Sequence, residues 1–283
     1  MTVASEARSV KFPSGDVVPA LGLGTWHMGE DPRRHDDEIA AVRLAIDLGM
    51  TVVDTAEMYG DGASEALVGE ATEGRRKEVF LVSKVLPNHA SRRATIAACA
   101  ASLGRLRTDH LDLYLLHWRG PTPLRETIDA FATLVEHGSI RQWGVSNFDL
   151  TDMKELERIP GGSDVAANQV LYNLSRRGIE FDLLPWCRER GIPIMAYSPI
   201  EQARLLANPA VRRVAGRHAV TPAQLCLAWV LRQEGVIAIP KAGTPAHVRE
   251  DREALEVKLT AADLRELDEA FPPPREAQPL EML

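Results

Sequence analysis

Cysteine is scarce: Cys99, Cys187 and Cys226 are the only three in 283 residues, odd in number and far apart. No CxxC or CxxH spacing surrounds them, so neither a disulfide framework nor a metal cluster is expected. They read as buried thiols of a reduced, cytoplasmic protein. No apolar run approaches the roughly 20 residues that span a bilayer. The opening Met1-Thr2-Val3-Ala4-Ser5-Glu6-Ala7-Arg8 lacks the apolar core of a signal peptide. Excess positive charge is missing as well. Lys and Arg number 33 against 40 Asp and Glu, a net −7 that argues against nonspecific binding to nucleic acid or anionic lipid. What is present is 45% hydrophobic and 26% charged, as in a compact soluble chain. The length suits one α/β barrel of about 250 residues, so a single barrel domain over 1–283 is expected.

Apolar runs alternate with helical patterns, and no low-complexity linker interrupts them. Val10 to Val18 alternates around Ser14-Gly15-Asp16, which predicts a small N-terminal hairpin. Strands are expected at 20–23, 51–54, 79–83, 111–116, 139–145, 165–169, 192–197 and 236–239. Helices are expected near 36–48, 63–72, 91–103, 124–136, 150–157, 180–190, 222–233 and 245–254, with an extra C-terminal helix at 261–270. Ser91 and Thr221 are N-cap residues, and Pro222 takes the first helical position. Eight short strands with intervening helices predict a closed parallel barrel, a (β/α)8 fold of the TIM type. A doubly wound sheet is the alternative, but it wants a phosphate-binding glycine motif after its first strand. Gly22-Leu23-Gly24-Thr25-Trp26-His27 fails GxGxxG at its last position.

Four ionisable residues stand near the ends of three successive expected strands. Val52-Val53-Asp54 runs on to Tyr59, Val79-Phe80-Leu81-Val82-Ser83 ends on Lys84, and Leu111 to Leu116 ends on His117. In a parallel barrel these four side chains converge at one end, where such folds place their chemistry. Taken singly, an Asp at a strand end is usually a cap and a lone Lys is solvated. Together they make a reaction possible. Tyrosine titrates near pH 10, so it is a poor acid unless its phenolate is stabilised. A lysine ammonium does this, and a buried lysine needs a carboxylate to stay charged. Asp54 can hold Lys84, Lys84 can tune Tyr59, and His117 can hold a carbonyl oxygen beside the phenol. A group built to protonate a carbonyl still lacks a nucleophile for the carbon, and a bound hydride donor supplies one.

Gly49-Met50-Thr51-Val52-Val53-Asp54-Thr55-Ala56-Glu57-Met58-Tyr59-Gly60, with Ser64-Glu65 and Val68-Gly69, resembles the signature of the aldo-keto reductases. So do Leu111 to Trp118, Trp143-Gly144-Val145-Ser146-Asn147-Phe148, Asn168-Gln169 and Ile239-Pro240-Lys241. The blocks keep the family order and cover about residues 20–270. The resemblance implies a (β/α)8 barrel that reduces carbonyls with a nicotinamide cofactor. It implies Tyr59 as general acid, Lys84 and Asp54 as its tuning pair and His117 as substrate orienter. It places Ser146, Asn147 and Gln169 on the nicotinamide carboxamide, Tyr197 against the nicotinamide ring, and Ser198 and Ile200 at the pyrophosphate. Lys241 and Thr244 match residues on the ribose phosphate, and Glu250 one on the adenine. Gly24, Thr25, Asp54 and Arg249 complete the expected cofactor set, and Trp26, Met58 and Trp118 the substrate pocket. The chain departs from the common pattern with His247 in place of arginine and Asp251 in place of asparagine, for which Arg249 and Arg252 offer compensation. NADPH is expected to be favoured over NADH because Lys241 is present.

The segment Trp118-Arg119-Gly120-Pro121-Thr122-Pro123 and the tail after Phe271 are both short, which implies an open, poorly selective pocket. Gly24 to Asp31, Leu183 to Cys187 and Ile239 to Thr244 resemble bacterial reductases of methylglyoxal and related small aldehydes. A small carbonyl compound is the expected partner and a monomer the expected state, with no metal. Two alternatives stay open: a cofactor-binding regulatory barrel, and an aldolase using Lys84 as a Schiff-base nucleophile. Glu57, Asp112 and Tyr114 are expected to be structural. His27, His35, His89, His110, His137 and His218 are expected to be solvated or capping.

Overall fold

The computed structural model describes residues 8–283, so most of the opening segment weighed above for a signal peptide lies outside the described residues. The chain begins with an antiparallel hairpin of β1 (Ser9–Lys11) and β2 (Val17–Pro19). Val10, Phe12 and Val18 of this hairpin are buried, and the Phe12 ring lies 5.0 Å from that of Phe80. Phe80 opens its strand, so the hairpin plugs the barrel at the end opposite the strand C-termini.

Eight parallel strands follow in sequence order: β3 (Leu23–Gly24), β4 (Val52–Asp54), β5 (Phe80–Val85), β6 (Leu111–Leu116), β7 (Ile140–Ser146), β8 (Asn168–Leu171), β9 (Ile194–Tyr197) and β10 (Val236–Ala238). The sheet closes on itself. Ala238 N–H donates to Ala20 O at 2.8 Å, Gly22 N–H to Ala238 O at 2.9 Å, and Gly24 N–H to Pro240 O at 2.8 Å. Closure at this seam needs bare backbone: a Cβ on Gly24 would stand 2.8 Å from Ile239 O. The strands are buried almost throughout, as a parallel sheet covered on both faces requires.

Helices α1 (His35–Asp47), α2 (Ala63–Ala71), α3 (Arg92–Leu106), α4 (Leu124–Glu136), α5 (Leu150–Glu157) and α6 (Leu183–Glu189) connect successive strands. Ser91 caps α3 as expected, accepting from Ala94 N–H. Between β9 and β10 the chain inserts two helices, α7 (Pro209–Arg217) and α8 (Pro222–Leu231). Thr221 and Gln224 form a capping box at the start of α8. The first of these two was not expected, although its signals are local. Asn208 accepts from Ala210 and Val211 N–H, Pro209 takes the first turn, and Ala210, Val211, Val214 and Ala215 form the buried face. Helices α9 (Pro245–Glu253) and α10 (Ala261–Ala270) finish the fold. The expected helix from 180 starts only at Leu183, because Gly178–Glu180 winds as a 3₁₀ turn before it. The expected strand from 165 enters the ladder only at Asn168.

Strand register explains why the site residues meet. Residues level with one another in parallel neighbours face the same way, as do residues two apart on one strand. Asp54 is level with Val82, two before Lys84; Lys84 is level with Leu115, two before His117. Leu115 is level with Gly144, two before Ser146, which is level with Gln169; Gln169 is level with Met195, two before Tyr197. One inner face therefore carries Asp54, Lys84, His117, Ser146, Gln169 and Tyr197 toward the strand C-termini.

The glycine seam can be tested against a glycine with space around it. Gly24→Ala should lower stability by about 1–3 kcal/mol, the usual cost of forced overpacking. Gly104→Ala, in α3 with nothing within 4 Å of its Cβ position, should raise it by about 0.5–1 kcal/mol. Urea melts of the two variants check both signs.

Candidate active site

Lys84 has no exposed surface, and its ammonium uses every hydrogen it has. Nζ donates to Asp54 Oδ2 at 2.7 Å, to Thr55 O at 2.9 Å and to the Tyr59 hydroxyl oxygen at 3.0 Å. The second carboxylate oxygen of Asp54 accepts from Gln169 Nε2 at 2.7 Å. Thr25 locks the strand end from behind, its N–H and its hydroxyl both donating to Asp54 O, while Ser64 donates to the Thr25 hydroxyl. Burial works against the charge on Lys84, yet the opposing pull of Asp54 and Tyr59 carries its pKa above the ordinary value. Burial lifts Asp54 above the usual carboxylate range, and Lys84 and Gln169 pull it back.

Tyr59 sits in the turn after β4, half-buried, with its hydroxyl directed inward to Lys84. Lys84 acts on it in the expected direction, but burial outweighs that and Asp54 adds to it, so the phenol lies above its usual 10.0. Desolvation, the larger of the two effects, reverses the lowering expected from the lysine alone. The phenol therefore keeps its proton at neutral pH, the state a donor needs.

His117 continues β6, its N–H donating to Val85 O, and its ring meets that of Tyr59 edge-on at 5.9 Å. Burial, then the nearby Lys84 charge, lowers it to about 2, so the ring is neutral across the physiological range. Its Nδ1 has no hydrogen-bond partner among the described residues. A neutral imidazole keeps one N–H to give to an oxygen beside the phenol.

The residues expected around a nicotinamide form one connected group. Ser146 Oγ donates to Gln169 O at 2.9 Å, Asn147 Nδ2 donates to Ser146 Oγ at 3.2 Å, and the Tyr197 hydroxyl donates to Asn147 Oδ1 at 2.9 Å. Asn147 stands at φ 59, a left-handed conformation that asparagine tolerates better than most residues. After Tyr197, Ser198, Glu201, Gln202 and Ala203 all take positive φ, a concentration of strain in the segment expected to meet the pyrophosphate. Ile200 lies between them, half-buried. Glu201 pins this loop from beneath, accepting from Asn173 Nδ2 at 2.7 Å and from Arg176 Nη2 at 2.9 Å. The sequence reading missed Asn173, Arg176 and Glu201, which no motif distinguishes.

At the outer end, Lys241 follows β10, and Thr244 caps α9 by accepting from His247 N–H. Arg34 lies against them: a Cβ on Gly243 would be 2.9 Å from Lys241 Nζ and 3.0 Å from Arg34 Nη2. Arg34 was not among the expected residues. Glu250 is half-buried on α9. Arg249 and Arg252, expected to compensate for His247, are engaged with the protein's own groups. Arg249 turns back to Pro245 O, and Arg252 is held by Leu48 O and Glu256. Two of the inner cofactor candidates are also spent on the scaffold, Gly24 at the barrel seam and Thr25, fully buried, behind Asp54. Trp26 and Met58 are exposed large apolar side chains at the mouth, and Trp118 lies with its ring 4.8 Å from that of His117.

Other expected structural roles hold in the geometry. Glu57 accepts from Leu86 N–H and pairs with His89, and Asp112 accepts from Arg76 and Leu81 N–H. His218 pairs with Asp263 and His35 with Glu70. All three cysteines are buried, with their thiols pushed up to about 12 by burial. No described helix is long and apolar enough to cross a membrane.

Around a buried Asp–Lys pair behind a tyrosine, with a neutral histidine beside it, the aldo/keto reductase family model matches residues 20–271. The chain belongs to the aldo/keto reductase family. It is accordingly an oxidoreductase. Among its relatives, methylglyoxal reductase YeaE of Escherichia coli is 53% identical over 98% of this chain and 100% of its own length. Glyoxal reductase of Bacillus subtilis is 32% identical over 92% of this chain and 91% of its own. A solved aldo-keto reductase of Klebsiella pneumoniae in complex with NADPH superposes with a TM-score of 0.96 at 49% identity, covering 99% of this chain and 100% of that one.

His117 supplies a pH test. Its folded pKa lies below the unfolded value of 6.5, so as pH falls through 6.5 only the unfolded chain takes up the proton. Its contribution to stability is complete above pH 6.5 and falls by up to about 1.4 kcal/mol per pH unit below it. Urea unfolding at pH 7, 6 and 5 should show this slope, and His117→Asn should remove that part of it. An equal slope in the variant would mean that the ring is not held neutral.

Proposed function

We propose that the enzyme reduces small aldehydes, 2-oxoaldehydes such as methylglyoxal among them, to alcohols with NADPH as reductant. The observation that carries the reading is the triple engagement of Lys84, which gives a tyrosine a charged support in a water-poor site. The dinucleotide fits this chain's own residues. Gly243 leaves open the space beside Lys241 that a Cβ would fill, and the group formed by Ser146, Asn147 and Gln169 presents donors and acceptors suited to an amide.

When bound, the cofactor supplies a hydride from nicotinamide C4 to the carbonyl carbon. Tyr59 gives its proton to the carbonyl oxygen as negative charge grows there. Lys84 then faces the resulting phenolate at hydrogen-bond distance, which lowers the cost of losing that proton, and Asp54 keeps Lys84 charged throughout. Neutral His117 donates its N–H to the same oxygen and orients the carbonyl. Trp26, Met58 and Trp118 form an apolar rim suited to a small substrate. The same bonds disfavour an aldolase: an ammonium with three N–H bonds in use has no lone pair to attack a carbonyl.

Tyr59→Phe should lower turnover by about 10²–10⁴-fold, the share of general acid catalysis, and leave NADPH affinity nearly unchanged. NADPH absorbance on a panel running from methylglyoxal to bulky ketones reads both turnover and substrate class. Turnover above about half of wild type in the variant would end the proton-donor role, and silence on all small aldehydes would end the substrate reading. Lys84→Met should cost about 3–5 kcal/mol of stability by stranding a buried carboxylate. Adding Asp54→Asn should recover stability but not turnover; a fully active Lys84→Met would overturn the charge argument.

A further inference from the structure

Arg34 comes from a different part of the barrel than the residues expected at the ribose phosphate. It lies in the connection after β3, directly before α1, whereas Lys241 and Thr244 follow β10. Closure of the barrel brings the two connections together, so that Arg34 Nη2 and Lys241 Nζ approach one point beside Gly243 to 3.0 and 2.9 Å. Neither side chain donates a hydrogen bond to any described residue. Two like charges held this close, with their donors unspent, repel each other unless an anion lies between them. Glu38 and Glu30 both pull on Lys241, yet burial and Arg34 outweigh them, and only Glu38 contacts Arg34. Glu38 Oε2 accepts from Gly29 N–H at 2.8 Å, and its Oε1, which makes no hydrogen bond, is 3.6 Å from Arg34 Nε. That contact steadies the Arg34 stem and leaves Nη2 facing Gly243. The chain cannot fill the gap itself, because residue 243 has no side chain.

We propose that Arg34 is a specificity-determining residue that, with Lys241, grips the phosphate on the adenosine ribose of NADPH and so separates it from NADH. This rests on the NADPH reading above. A guanidinium offers a planar pair of donors to a phosphate monoester and an ammonium offers a point charge, so the two are complementary rather than redundant. Thr244 and the opening N–H groups of α9 follow Gly243 directly in the chain, and a helix N-terminus carries a partial positive charge. Burial and the Arg34 charge lower the Lys241 pKa, as expected for two cations sharing one site.

Tryptophan fluorescence on the full chain can titrate NADPH, NADH, 2′,5′-ADP and 5′-AMP against wild type, Arg34→Gln, Arg34→Lys and Lys241→Ala. Arg34→Gln should weaken NADPH and 2′,5′-ADP by about tenfold to a hundredfold, the range of one charge-assisted hydrogen bond. NADH and 5′-AMP should stay within about twofold on that scale, and Arg34→Lys should recover part of the loss. Arg34 is half-exposed, so the folded state should survive each change, and circular dichroism checks that it does. An equal loss of NADPH and NADH would place Arg34 on the shared pyrophosphate and overturn the proposal. Unchanged NADPH affinity would reduce Arg34 to a counter-ion of Glu38. A wild-type chain that binds 2′,5′-ADP no better than 5′-AMP would fail at the earlier step, removing the NADPH reading and this proposal with it.

Discussion

The contact between Lys84 and Asp54 is the constraint around which the upper barrel is built. Each ion loses its water on burial, at an effective cost of several kcal/mol, and their mutual attraction offsets that only if the geometry is tight and the leftover hydrogens and lone pairs are used. Both conditions are met. The ions stand 2.7 Å apart, the remaining Lys84 hydrogens go to Thr55 and Tyr59, and the free Asp54 oxygen takes the Gln169 amide. Every one of these partners is thereby held in place. A tyrosine on a turn is ordinarily free to swing out; here its hydroxyl is one of three contacts that Lys84 cannot give up cheaply.

That pair exists because of register. Asp54 ends β4 level with Val82, and Lys84 stands two residues further along β5 on the same face. A slip of one residue would send Lys84 outward into the helix layer and strand Asp54. Register in turn depends on closure, and closure on backbone passing close to backbone at Gly22 and Gly24. The chemistry at one end of the barrel is thus coupled to a seam that touches no substrate. The strained loop after β9 shows a second form of the same dependence. Its four positive-φ residues persist because buried Glu201 is tied to Asn173 and Arg176 on the neighbouring connection. Backbone that costs energy is kept only where its surroundings over-determine it.

Much of this was legible in the chain, for reasons that differ by element. The strands announced themselves through short apolar runs, and α8 through Thr221-Pro222, because caps and buried strands are local facts. Asp54, Lys84 and His117 were legible because each ends an apolar run, where strand periodicity fixes the facing direction, and Tyr59, in the turn after β4, through the block it shares with Asp54. Helix α7 was overlooked although Asn208-Pro209 marks its start, since strand–helix alternation does not call for a second helix there. The upward pull of burial on Tyr59 was not legible, because desolvation depends on everything packed around the phenol. Nor was Arg34. It reaches its neighbours only through closure between the first and last barrel strands, more than 200 positions apart in the sequence, and no spacing rule spans that distance.

The two ends of the site divide the electrostatics between them. At the reacting end one buried cation is balanced by one buried anion, so the net charge is zero while the Lys84 side of the pair faces the Tyr59 hydroxyl. At the outer end Arg34 and Lys241 stand together with their hydrogen-bond donors unspent, near Glu38 and Glu30, in a chain whose total is −7. Their unspent donors can hold an anion despite the total because exposed charges beyond about 8–10 Å are screened by salt, while neighbours within hydrogen-bond reach are not. A barrel suits this division: the strand ends fix the neutral pair deep inside the rim, and the connections after β3 and β10 meet at the seam to present the two unspent cations. The same closure that sets the register for the chemistry also brings together the cations that face an anionic cofactor.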